Sequence, residues 1–151
     1  MAKPILVTGF EAFGEHELNI SEAVAKSLDG MEVRGHKIRS LVLSVDFEGS
    51  NRVADMLDEE EYAAILHIGL AANSAHPRIE IKARDILDFR IPDNSGRQVS
   101  NSKISGQGDL FSTINSEIIV PNPPTIEWSS IVITILNSFI KSFIFLSSGF
   151  N

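Results

Sequence analysis

A chain of 151 residues with a net charge of −7 lacks the basic footprint needed to track a nucleic-acid backbone or dock on an anionic membrane surface. With 43% hydrophobic and 22% charged residues, its composition is that of a soluble globular domain large enough to bury a core. It has no cysteine, which excludes disulfides, thiolate metal sites and a cysteine nucleophile from these residues.

The first residues, Met1-Ala2-Lys3-Pro4, run directly into an apolar segment. They contain no signal-peptide apolar region and no small-residue cleavage site, so the expected location is cytoplasmic. Residues 5–8 are short and continuously apolar, as in a strand buried on both faces. The segment from Gly9 to about Ile20 reads as a loop. Ser21 to Leu28 reads as a helix, with Ser21 as N-cap and Asp29-Gly30 as the stop. Val33 and the run 38–43 suggest extended structure. Asp46 caps a second predicted helix that reaches about Glu60 and turns Val53, Ala54 and Leu57 inward. The acidic run 58–61 is its solvated end.

Tyr62 to Gly69 is a second buried strand ending in glycine. Strand, helix, strand, helix, strand is the pattern of a parallel α/β sheet. Ligands of such sheets bind outside the carboxyl ends of the strands. The loop Thr8-Gly9-Phe10-Glu11-Ala12-Phe13-Gly14 therefore reads as one wall of a small-molecule pocket. On spacing alone, the plainer reading of Phe10 and Phe13 is core packing beneath that loop.

Residues 78–85 alternate. Ile79, Ile81 and Ala83 share one predicted face, and Arg78, Glu80, Lys82 and Arg84 the other. Glu80 is then either a member of a surface charge ladder or an acidic catalytic group. Ile91 to Gly96 is a turn cluster, and a Ser/Gly/Asn-rich loop continues to about Gly108. Phe111 to Val120 reads as a helix starting near Ser112 or Thr113.

The character then changes. Pro121, Pro123 and Pro124 break any helix, and Glu127 and Lys141 are the only charged side chains in residues 121–151, against 31 in the first 120. The apolar run 131–146 is interrupted by Asn137, Ser138, Lys141 and Ser142. It falls short of the roughly 20 apolar residues of a membrane span. A buried strand–turn–helix, a membrane-associating tail and a non-native extension all fit it.

The motif survey is mostly negative. Gly9 and Gly14 have P-loop spacing, but Glu15 and His16 stand where Lys and Ser/Thr are required. No dinucleotide glycine motif, metal-binding histidine spacing or serine-nucleophile elbow occurs, so neither cofactor nor metal is expected. His67, inside an apolar strand, reads as a satisfied core histidine. His76 in a loop pairs with nothing identifiable.

Three stretches together resemble pyroglutamyl peptidase I, a family of cytosolic cysteine peptidases. They are Val7 to Gly14; His67-Ile68-Gly69-Leu70-Ala71 with Ile79-Glu80 and Ala83; and Arg90 to Gly96 with Phe111-Ser112-Thr113. The resemblance covers residues 4 to about 120. It implies a three-layer α/β/α sandwich with a mixed, largely parallel sheet, whose carboxyl-terminal part is missing or replaced here. It also implies removal of N-terminal pyroglutamyl residues from peptides, with a homo-oligomeric assembly. Phe10, Phe13 and Ile91 would form the slot for the lactam ring. Glu80 would be the acidic member of the triad, orienting a histidine that deprotonates a thiol.

The departures from the family are as specific as the match. The nucleophilic cysteine and its histidine belong downstream of the segment matching Phe111 to Thr113. None of His16, His36, His67 and His76 occupies the triad position. After Gly69-Leu70-Ala71, family glycines and an arginine are replaced by Ala72-Asn73-Ser74. The expected organisation is a peptidase-like domain over 1–120, incomplete, followed by a divergent apolar tail over 121–151. The composition break suggests a shifted reading frame. The expectation is an inactive peptidase chain; the alternative is a non-catalytic pyroglutamyl-binding module.

Overall fold

The computed structural model describes residues 2–71, 78–113 and, as backbone, 131–136. Strand β1 (Ile5–Phe10) and helix α1 (Ile20–Leu28) open the fold. Strands β2 (Glu32–Val33) and β3 (His36–Leu43), helix α2 (Phe47–Glu59) and strand β4 (Ala64–Leu70) follow. Strands β5 (Arg78–Glu80), β6 (Lys82–Ala83), β7 (Leu110–Phe111) and β8 (Ile131–Leu136) complete the described elements. Among the described residues no helix is long and apolar enough to cross a membrane.

The main sheet has the order β2-β3-β1-β4-β8-β5. β1 lies between β3 and β4 and is parallel to both, as crossover helices require. β2 folds back antiparallel on β3 through Arg34 and Gly35, both with positive φ. β8 runs antiparallel to β4 and parallel to β5. The sheet is thus mixed and largely parallel, in the α/β class expected from the sequence.

The pleat assigns the two faces. Leu6 and Ile65 pack with Leu43, Val53 and Tyr62 beneath α2, with Phe10, Leu41, Met56 and Leu57 around them. Val7 and Ile68 pack with Ala25 and Ile38 beneath α1, supported by Ile5, Val24, Leu28 and Leu66. Each fully buried aliphatic side chain contributes about 1.5–3 kcal/mol of transfer free energy. Helix contacts on both faces explain why β1 and β4 are apolar without alternation.

Both helices are capped at the start. Asn19, not Ser21, caps α1: its Oδ1 accepts the Ser21 amide at 3.1 Å. Asp46 caps α2 as expected, accepting the Gly49 amide at 2.9 Å. The acidic end of α2 is partly neutralised, since Glu60 pairs with Arg39 at 2.8 Å and Glu61 with Lys3 at 2.7 Å.

Two expected elements differ. The alternating segment 78–85 is not one strand, because β5 belongs to the main sheet and β6 pairs with β7 in a separate sheet. The chain changes sheet at Ile81, whose carbonyl accepts the Ser112 amide at 2.8 Å. Ile81 is consequently 54% exposed while Ala83 is buried, so the apolar face is not shared. The helix expected from Phe111 begins instead as strand β7, where cross-strand pairing with Lys82 overrides local propensity. The rest of that expected helix, residues 114–120, lies outside the described residues, as do His76 and the segments 72–77, 121–130 and 137–151.

Candidate functional site

The site is built at the carboxyl ends of β1, β3 and β4. Phe10 closes β1 and packs beneath α2, and its ring lies over Gly69 of β4: a Cβ at Gly69 would meet Phe10 Cε2 at 4.0 Å. Phe13 is buried and meets the His16 ring edge-on at a centroid distance of 5.7 Å. Gly14 has φ +60, and a Cβ there would stand 3.0 Å from Ile91 Cδ1. Loop 10–14 and the distant Ile91 therefore meet directly.

The loop is tied down by polar contacts on several sides. The Glu11 amide donates to the Leu43 carbonyl at 3.0 Å. Asn94 Nδ2 donates to Glu11 Oε1 at 3.0 Å and to the Ala12 carbonyl at 3.2 Å, while the Asn94 amide donates to the Val45 carbonyl. The turn that presents Asn94 is organised by Asp93, whose Oδ1 accepts the amides of Ser95 and Arg97 and the Ser95 hydroxyl. Asn94 was not singled out by the sequence. Its place in the cluster Ile91-Pro92-Asp93-Asn94-Ser95-Gly96 shows a turn, but not which loop the turn touches.

Below the loop, Thr8 Oγ1 and His67 Nδ1 form a 2.7 Å hydrogen bond across β1 and β4. His67 is 4% exposed, and its Nε2 has no hydrogen-bond partner among the described residues. Burial lowers its pKa from 6.5 to about 3, so the ring is neutral at physiological pH. The expected satisfied core histidine is therefore satisfied at one ring nitrogen.

Glu80 is half-buried at the end of β5. Backbone register aligns Thr8 with His67, His67 with Thr134, and Thr134 with Glu80. Directly opposed residues share a sheet face, so Glu80 lies on the face of Thr8 and His67, about 10 Å of backbone from His67 at two strand spacings. Lys82, two residues further on, sits in the second sheet, paired with Asp109 at 3.0 Å.

The loop beyond Glu80 is closed by a second carboxylate that the sequence did not single out. Asp85 accepts the amides of Ser105 at 2.8 Å and Gly108 at 3.0 Å, and these bonds hold its pKa below the usual carboxylate value. Among the described residues, no three His, Cys, Asp or Glu side chains converge to hold a metal ion.

A sequence model of the pyroglutamyl peptidase family matches residues 3–134. The chain belongs to the pyroglutamyl peptidase family. The match runs past the proline cluster and into β8. The chain is 34% identical over 130 residues to a pyrrolidone-carboxylate peptidase of Pyrococcus furiosus, covering 85% of this chain and 55% of that protein. It is also 34% identical over 118 residues to the Coprothermobacter proteolyticus protein of the same name, covering 76% and 57% respectively.

Solved structures agree with this assignment. A mutant pyrrolidone carboxyl peptidase from Pyrococcus furiosus superposes with TM-score 0.68 at 34% identity, covering 73% of this chain and 54% of that one. Another mutant of that enzyme superposes with TM-score 0.73 at 26% identity, covering 87% and 79%. The chain spans about half the length of the curated relatives it matches.

Proposed function

We propose that this chain carries the pyroglutamyl-recognising part of a thiol peptidase that acts on peptides with an N-terminal pyroglutamyl residue. The observation that carries the reading is the contact of Gly14 with Ile91, which brings Ile91 to the loop that follows β1 and carries Phe13, while Phe10 ends β1 against Gly69. A pyroglutamyl ring is a neutral five-membered lactam with two apolar faces and a polar amide edge. Aromatic and aliphatic side chains suit its faces, and backbone groups at strand ends suit its edge. Phe10, Phe13 and Ile91 are proposed as the ring's contacts.

Glu80 is proposed as the triad carboxylate, orienting a histidine that deprotonates the attacking thiol. The 151 residues contain no cysteine. They therefore hold no thiol to attack the scissile carbonyl, and we expect no hydrolysis from this chain alone. The absence of cysteine also favours a second reading, a non-catalytic pyroglutamyl-binding module. A cytoplasmic location and a homo-oligomeric state complete the proposal.

Calorimetry with pyroglutamate and turnover of a chromogenic pyroglutamyl amide test both readings. Wild-type chain should bind pyroglutamate, and Phe10→Ala should weaken binding about tenfold or more by removing a ring contact. No chromophore should be released. Absence of wild-type binding would sink the recognition reading, and turnover by the chain alone would sink the expectation of inactivity. Supplying a family carboxyl-terminal segment that bears Cys and His separates the two readings. Restored hydrolysis marks part of a peptidase; binding without restoration marks a module.

A further inference from the structure

The β1–β4 ladder stops at the pair Thr8–His67. Phe10, two residues on, presents its N–H beyond that last rung. The acceptor it finds is the Ser21 hydroxyl of α1, at 3.0 Å. That hydroxyl donates in turn to Asn19 Oδ1 at 2.8 Å. Asn19 Nδ2 donates to the Glu11 carbonyl at 3.2 Å, closing a circuit around the Phe10–Glu11 backbone. Ser21 is fully buried and Asn19 is 4% exposed, so water does not readily replace these partners. The helix start also presses on the strand: a Cβ at Gly9 would stand 2.2 Å from the Ser21 carbonyl oxygen.

Helix capping does not require this circuit. The cap of α1 is the bond from the Ser21 amide to Asn19 Oδ1, and any residue at position 21 supplies that amide. The Ser21 hydroxyl and the Asn19 Nδ2 group instead hold the segment that carries Phe10. We propose that Asn19 and Ser21 are positioning residues for the pyroglutamyl slot, fixing the Phe10–Glu11 backbone so that the Phe10 ring stays over Gly69. This rests on the recognition reading above. It adds residues that do not touch the ligand and act through Phe10.

The test uses the full chain, with amide hydrogen exchange read residue by residue and pyroglutamate affinity read by calorimetry. Ser21→Ala keeps the cap but removes the acceptor for the Phe10 amide. Exchange at Phe10 should quicken and pyroglutamate affinity should fall, each by roughly tenfold, while the remaining α1 amides keep wild-type rates. Ser27→Ala, which removes an exposed α1 hydroxyl bonded to the Val24 carbonyl, should change neither readout. Asn19→Asp retains the acceptor for Ser21 and loses the donor to Glu11, so affinity should fall while the Phe10 amide stays protected.

Faster Phe10 exchange in S21A with unchanged affinity would reduce the circuit to a structural role and overturn the proposal. Wild-type exchange at Phe10 in S21A would overturn it as well. If the wild-type chain binds no pyroglutamate, the recognition reading fails by itself, and exchange at Phe10 alone decides whether the circuit holds that backbone.

Discussion

At the scale of single residues, His67 carries a consequence that acid titration can read. Its folded pKa, about 3, lies below the unfolded value of 6.5. Between those values the unfolded chain binds a proton that the native ring does not. Stability from this residue is therefore intact above pH 6.5 and falls as pH drops toward 3, by at most about 1.4 kcal/mol per pH unit. His67→Phe should lower stability at neutral pH, because Thr8 loses its ring partner, yet show a shallower decline toward about pH 4. Urea unfolding of both proteins across that range checks this, and parallel curves would contradict it. The sequence showed His67 within an apolar strand, but the partner across the sheet depends on register, which no local pattern fixes. Asn94 is the same case: turn chemistry was legible, while its bond to Glu11, 83 positions away, was not.

At the scale of elements, glycines and caps set the geometry around the site. Gly49 lies in the first turns of α2, where a Cβ would stand 2.0 Å from the Ser44 carbonyl oxygen. Alanine gains about 1 kcal/mol of helix propensity over glycine. Here the clash wins, because overpacking against backbone costs about 1–3 kcal/mol and Ser44 is itself held by a bond to Asp46. Gly49→Ala should therefore destabilise the protein in denaturant melts, and a gain in stability would refute the packing argument. Asp46→Ala should cost about 1 kcal/mol by removing the cap, read in the same melts. Both helices of the described structure were legible from apolar spacing and stop signals. The local pattern puts the cap of α1 at Ser21, two residues beyond the observed Asn19, because both are good capping residues and only the strand's need for the Ser21 hydroxyl decides between them. The regular alternation of segment 78–85 predicts one strand. Alternation cannot show that the chain leaves one sheet for another at Ile81.

At the scale of the molecule, β8 occupies an interior place in the sheet, with β4 on one side and β5 on the other. Six residues of β4, Ile65 to Leu70, are in register with it. A chain ending before Ile131 would leave that edge of β4 without its ladder and β5 without a neighbour. Unpaired strand edges invite association between chains. Such a truncation should lose cooperative unfolding and sediment as aggregates, whereas a monomeric, cooperatively folding product would show that β8 is dispensable.

The sequence by itself determined the α/β class, the two helices, the parallel strands β1, β3 and β4, and the aromatic loop at their carboxyl ends, because these follow from local periodicity, turn residues and composition. It also determined that no thiol is present in these residues. Only the tertiary structure decided that Ile91 meets Gly14, that Glu80 shares a sheet face with His67, and that a segment beyond the proline cluster enters the middle of the sheet. Those relations join residues far apart in the chain. They are set by strand order, register and the closing of loops against one another, where burial and hydrogen-bond satisfaction are decided across the whole fold.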